Sequence, residues 1–348
     1  MGMDEIIIIG AGYAGVMAAN RLAPRARVAV VAERDRFVER VRLHELIAGS
    51  REAVDRPLRG MLDPRVRLVV DRSTRVAPGR VELAAGGALA AGHIVLAVGS
   101  GARGCATDWE GALALRERIA RLAAGEWVLV RGGGLTGIEL AAEIAESRPD
   151  LRVGIAAASG RVARGLPMHR DAIEASLMRL GVDLVPPADA ALVLDATGFS
   201  VPSLAADSGL AVDGDGRALV DDALRVVGAP GIWAAGDCAA FAGREPLRMS
   251  CAAAEPLGAH VADAIAATIA GAEPAAADIG FAVQCLSLGR RDGLIAQVRA
   301  DDAPTGRRLR GRAAALVKEL VCRGAAFAPR RLASAYRWSA GPSRRMGA

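Results

Sequence analysis

Nowhere in the 348 residues do two cysteines stand in C-x-x-C or C-x-x-x-x-C spacing. The five present, Cys105, Cys238, Cys251, Cys285 and Cys322, are scattered, which argues against a metal knuckle and against a redox pair close in sequence. Buried free thiols in a reducing compartment are the plainer reading. Four histidines, none near another, give no metal-ligand pattern, and no metal is expected. No apolar run reaches the roughly 18–20 residues of a spanning helix, and Asp4 and Glu5 precede the first apolar run, unlike a signal peptide. A cytoplasmic protein is the expectation. Gly/Ser linkers and low-complexity blocks are also missing, which excludes arrays and disordered chains. Lysine is nearly absent: of 44 basic residues only Lys318 is one.

What is there is a large apolar fraction, 52 %, in a chain long enough for two or three domains. The net charge of +5 is uneven, with fourteen Arg or Lys against four Asp or Glu from Arg290 onward. Clustered arginines can neutralise phosphates. No helix-turn-helix, zinc or RNP pattern accompanies them, so no nucleic-acid partner is expected.

One pattern occurs twice. Residues 6–15 read IIIIGAGYAG and residues 128–137 read VLVRGGGLTG, so Gly10, Gly12 and Gly15 recur at a constant offset as Gly132, Gly134 and Gly137. Strand, G-x-G-x-x-G and helix form a dinucleotide cradle. The first glycine permits the turn, the second lets backbone approach a pyrophosphate, and the third allows close helix–strand packing. The phosphates sit at the helix N-terminus. The first copy also has the acid that a ribose needs about 20 residues on: Glu33, with Arg34 beside it, follows the run Val28 to Val31. In the second copy Ala158 stands where Glu33 should be. NADH recognition should be weakened there. Ser159, Arg161 and Arg164 are either a 2′-phosphate site favouring NADPH or surface residues, and both readings stand.

Five landmarks in order make the chain resemble the two-dinucleotide-fold flavoproteins, the pyridine nucleotide–disulfide oxidoreductases, and within them the type II NADH dehydrogenase-like branch. They are GAGYAG with Glu33; IVLAVGSGA, 94–102, with Gly99; GGGLTGIELAAEIAE; VLDATGFSVPSLAADSGL, 193–210, with Gly198; and GIWAAGDCAAF, 231–241. The resemblance implies an α/β fold of two Rossmann-like, three-layer dinucleotide-binding domains. An FAD domain (1–103 and 223–285) would carry an inserted NAD(P) domain (104–222), followed by a small basic C-terminal region (286–348). It implies FAD as cofactor and NAD(P)H as co-substrate. Gly10, Gly12, Ala14, Gly15, Glu33, Arg34, Arg42, Gly99, Gly236 and Asp237 would meet FAD, with Val76 holding the adenine through its backbone. Gly258 would let the helix that starts near Cys251 approach closely. Glu139 would lie near the nicotinamide and flavin.

The departures from the family are as informative. Disulfide reductases of this superfamily carry C-x-x-x-x-C shortly after the ribose acid, but the matching positions hold Val41 and Leu46. Reduction of a dithiol there is excluded. Arg42, His44 and Glu45 occupy that stretch, and His44, with an ordinary pKa near neutrality, is either a proton carrier beside the flavin or a structural histidine. Ala252 and Pro256 replace the two quinone-pocket glutamines of type II NADH dehydrogenases. Lys318 lies on a segment that approaches the flavin in that family, which makes it a candidate with His44 and Glu45. The stretch 306–324 has Ala313, Leu316, Val317, Leu320 and Val321 on one face among arginines. It suits either an anionic bilayer surface or domain packing, and without Trp or Phe on that face packing is preferred. The resemblance also implies a homodimer.

The expected activity is transfer of hydride from NAD(P)H through FAD to a small quinone-like or conjugated carbonyl acceptor. The alternatives are an FAD-dependent tailoring enzyme that works on its own substrate without NAD(P)H, and a non-catalytic FAD module.

Overall fold

The computed structural model describes residues 4–102, 108–186 and 189–341. Cys105 and the end of the arginine-rich tail, residues 342–348, lie outside them. The helices among these residues are α1 (Tyr13–Leu22), α2 (Leu43–Ala48), α3 (Trp109–Ala120), α4 (Leu135–Ser147), α5 (Arg170–Arg179), α6 (Leu204–Asp207), α7 (Cys251–Ile269) and α8 (Gly311–Arg331).

The apolar run Ile6–Ile9 forms part of the strand Asp4–Ile9, which lies between Val28–Ala32 and Ala88–Leu96. It is parallel to both, with Ile6 opposite Val28 on one side and His93 on the other. Arg67–Val70 extends this sheet past Val28–Ala32, and Ile232–Ala234 extends it past Ala88–Leu96. Central parallel strands are covered on both faces, so they read as unbroken runs of β-branched and aliphatic residues. A second parallel sheet orders Val182–Asp183, Arg152–Ala156, Trp127–Arg131 and Leu192–Asp195. The fold is therefore α/β with two parallel-sheet cores, as expected.

The repeated sequence becomes repeated geometry. Gly10 and Gly132 stand at φ 104° and 119°, left-handed values that favour glycine. A Cβ on Gly10 would strike the carbonyl oxygen of Ala97, and one on Gly132 that of Ala196. A Cβ on Gly15 or Gly137 would strike the carbonyl oxygen of Gly10 or Gly132. The Ala97–Gly99 and Ala196–Gly198 strand ends are thus the walls against which the two loops close.

α7 lies on α1 because Gly258 has no side chain: a Cβ there would meet the Ala14 oxygen, with Cα at 2.8 Å and C at 2.9 Å. Gly324, inside α8, has open space around its Cβ position. Gly258→Ala is expected to destabilise by about 1–3 kcal/mol through overpacking. Gly324→Ala is expected to stabilise by up to about 1 kcal/mol through helix propensity. Thermal unfolding of the two variants checks the opposite signs.

The first core includes Leu204, Ala205, Ala218 and Val220, while α2 packs into the second core through Leu43, Leu46 and Ile47. One feature differs from expectation: α8 buries Ala314, Cys322, Ala325, Ala326 and Ala328. Leu316, Leu320 and Val321, expected to pack, are exposed, as is Phe327. Small residues on the inner face let α8 come close to α1, and they turn the leucines outward. No helix among the described residues is long and apolar enough to cross a membrane.

Candidate functional site

Both glycine loops feed helices whose N-caps, Gly12 for α1 and Gly134 for α4, offer no side-chain capping bond. The first-turn N–H groups are left for an anion. Gly10 N donates to the carbonyl of Val31 and Gly132 N to that of Ala156, both at 2.8 Å. Two residues beyond these acceptors stand Glu33 and Ala158, so the geometry reproduces the alignment that left the second copy without an acid.

A cavity of about 370 Å³ runs along the first loop, lined by Gly10, Gly12, Ala14, Glu33, Arg34, Gly99, Gly236 and Asp237 among others. Gly12 and Gly99 have nothing within 4 Å of a built Cβ, leaving a slot where backbone faces the cavity. Ser100 Oγ donates to Asp237 Oδ2 at 2.7 Å. Burial raises the pKa of Asp237, against the Ser100 hydrogen bond and the charge of Arg40, which lower it. The Tyr13 hydroxyl is buried without a hydrogen-bond partner. An open glycine slot, an uncapped helix end, a ribose acid and an orphaned buried hydroxyl fit a flavin dinucleotide.

Tyr13, Arg40, Ser100, Asp237 and Ala254 also line a second cavity of about 290 Å³, so the two cavities share a wall. Into it come His44 from α2, Thr136 and Glu139 from α4, and Lys318 from α8. Lys318 Nζ lies 2.9 Å from Glu139 Oε1, which also accepts from the Ser287 N–H at 2.9 Å. His44 Nδ1 is 3.9 Å from Glu139 Oε2. Burial alone would raise the Glu139 pKa, but Lys318, His44 and the Ser287 N–H outweigh it and hold the carboxyl below its ordinary range. Burial likewise opposes the charge on Lys318, yet the Glu139 carboxylate carries its pKa above the ordinary value. Both members are therefore ionised.

Several expected residues line neither cavity; Gly132, Gly134 and Gly137 belong to the second loop, and Gly15 and Gly258 serve close packing. Glu45 lines neither cavity: it is buried and bonded to Arg42 (3.0 Å), Arg290 (3.2 Å) and Arg51. Arg42, expected on the cofactor, also lines neither cavity, because its guanidinium is taken by Glu39, Glu45 and Glu319. Val76 points its side chain into the core and gives its N–H to Ser208 Oγ at 2.9 Å, while Ser73 and Thr74 line the cleft instead. Gly198 lines neither cavity; its place is beside the second loop, after Ala196. Near Ala158, Ser159 donates to the carbonyl of Arg161, and the Arg161 guanidinium lies 3.5 Å from Asp171 and from Glu174.

The sequence reading missed that Cys251, Cys285 and Cys322, distant in the chain, all line the second cavity. Nothing in their spacing signals it. Burial pushes the Cys251 thiol up to about 12 and Cys322 to about 11, so they stand as neutral thiols. Arg248 lines the same cavity and was also missed.

Two glycine-loop cradles, with two cavities that share a wall, define a two-fold flavoprotein of the pyridine-nucleotide type. The chain belongs to the pyridine nucleotide-disulphide oxidoreductase family, whose profile matches residues 4–191 and 186–262. It is 30 % identical to an NADH dehydrogenase-like protein of Mycobacterium tuberculosis over 74 % of this chain and 79 % of that one. It is 28 % identical to ferroptosis suppressor protein 1 of Taeniopygia guttata over 53 % of this chain, and it spans about half, 52 %, of that relative. The sulfide:quinone oxidoreductase of Aquifex aeolicus superposes with a TM-score of 0.77 at 15 % identity, covering 95 % of this chain and 92 % of that one. NDH2 of Plasmodium falciparum, solved with NADH, gives 0.74 at 13 % identity over 94 % and 97 %. The membership makes the chain a flavin-dependent oxidoreductase of the NADH dehydrogenase-like kind.

Proposed function

We propose that this chain is an FAD-dependent NAD(P)H oxidoreductase that reduces a small quinone-like or conjugated carbonyl acceptor. The observation that carries the reading is the wall shared by the dinucleotide cleft and the Glu139–Lys318 cavity. Bound in the cleft, FAD would supply two-electron redox chemistry between a nucleotide donor and the acceptor. The first-turn N–H groups of α1 would hold its pyrophosphate, and Glu33 would accept hydrogen bonds from its ribose. Lys318 holds the Glu139 carboxylate in one place, so that ligand rings are oriented against a fixed charge. His44, whose Nε2 is buried without a hydrogen-bond partner, lines the same cavity within reach of a bound ligand. Val283 and Val321 line the cavity and are also exposed, giving an apolar acceptor a way in.

Ala158 favours a second reading, in which the enzyme acts on its own substrate without a nicotinamide. Anaerobic stopped-flow of the FAD-loaded protein with NADH and with NADPH, followed near ~450 nm where oxidised flavin absorbs, separates the two. Rapid bleaching by either nucleotide is the expected result. No bleaching by both overturns the reductase reading in favour of the second.

A further inference from the structure

We propose that the acceptor carries a carboxylate and that Arg248 is the residue that receives it. The inference rests on reading the second cavity as the acceptor's site. Three cations line that cavity, and they are not equivalent. Lys318 is held by Glu139 at 2.9 Å. Arg40 donates to the carbonyl of Ser100, and its charge is felt by Asp237. Arg248 has two partners but is held loosely by both. Its Nε lies 3.3 Å from Asp302 Oδ2 but has no hydrogen-bond acceptor, and Nη2 reaches only the carbonyl of Val283, at 3.5 Å.

The group is nevertheless well oriented. Its Cζ sits 4.9 Å from the centroid of the Phe281 ring, which fixes the guanidinium plane. Asp302, on a loop where it takes the left-handed φ of 67°, flanks the Nε edge. The Nη edge of Arg248, engaged only by the Val283 carbonyl at 3.5 Å, is a planar fork matched to two carboxylate oxygens, which an ammonium cannot imitate. Around it the lining is largely apolar: Val41, Leu43, Ile47, Leu135, Phe199 and Val283. The nearby Ala252 offers no side-chain donor to a neutral carbonyl. An apolar slot with one oriented, under-used arginine suits a flat conjugated compound with one acidic group.

The test is calorimetric titration of the oxidised, FAD-loaded protein with a naphthoquinone carboxylate and with its methyl ester, in the native chain, Arg248→Gln and Arg248→Lys. The native protein is expected to bind the acid at least roughly tenfold more tightly than the ester, as a charge-assisted pair allows. Arg248→Gln should erase that preference by weakening the acid alone, and Arg248→Lys should restore part of it. Equal binding of acid and ester by the native protein, which needs no variant to fold, overturns the inference, as does a preference that survives in Arg248→Gln. Binding is read without reduced nucleotide. An acid preference in a protein that neither nucleotide bleaches would sustain the inference and sink the reductase reading.

Discussion

Lys318→Met is expected to cost the FAD-loaded protein about 3–5 kcal/mol of unfolding free energy, because it strands a buried carboxylate. Glu139 is 13 % exposed, and with Lys318 gone its remaining partners are the Ser287 N–H and His44 at 3.9 Å. Desolvation then dominates, and the carboxyl's folded pKa rises above its ordinary value of 4.5. The sign of the pH dependence follows. Only below the native carboxyl's depressed pKa is the group protonated in every state, so that the variant loses little through it; above that the native chain gains from its paired carboxylate, and as pH rises past 4.5 the variant's folded chain must also hold a proton or an unpaired charge, so the deficit grows. Denaturant titration at pH 5 and pH 8, at equal free FAD since bound cofactor adds its own stabilisation, reads the difference. The double variant Lys318→Met with Glu139→Gln should recover most of the loss at pH 8. An equal loss at both pH values, unrepaired by the second substitution, would mean that Lys318 acts by packing its stem and not by its charge.

That pair also shows where sequence reading stops. The two glycine loops, their strands and the flanking walls were legible because each constraint is local. A glycine at φ 104° and a carbonyl that excludes its Cβ are written within one strand–turn–helix unit and its neighbouring strand end. Glu139 and Lys318 lie on different helices, and their meeting depends on α8 turning its alanine face inward, which its leucines concealed. Arg42 and Glu45 lie outside both cavities for a related reason. Close to His44 in sequence, Arg42 just before α2 and Glu45 within it turn away from the cavity, into an ion cluster with Arg290 and Glu319. Adjacent helix positions do not share a face. The cluster itself has a consequence for the site. His44, Glu139 and Lys318 each stand one residue or one turn from a member of it, Glu45, Glu143 and Glu319, with Arg290 bonded to Glu143 at 2.9 Å. The buried charges behind the cavity therefore tie together the three helices that build it.

Glu255→Gln is expected to raise stability, and to do so in a pH window that identifies the cause. Glu255 is 6 % exposed on α7 and lines neither cavity. Burial lifts its pKa from 4.5 to about 8, and the only relief is the hydrogen bond from Tyr336 in the segment that follows α8. The folded chain thus prefers the protonated acid. That preference is fully favourable below about 4.5, and its benefit is lost as pH rises through about 8, where the folded chain must bury a carboxylate. A neutral isostere escapes the loss. Glu255→Gln should therefore match the native protein at pH 5 and exceed it by on the order of 3–5 kcal/mol at pH 8.5, at about 1.4 kcal/mol for each pKa unit. Thermal and denaturant unfolding at the two pH values measure it. A gain of equal size at both would trace to a better amide contact with Tyr336. No gain at pH 8.5 would mean that the carboxylate finds relief, by water or by movement of the segment around Tyr336. The charge on Glu255 is thus a latent weakness under α7, the helix that Gly258 presses onto α1 at the cofactor cleft.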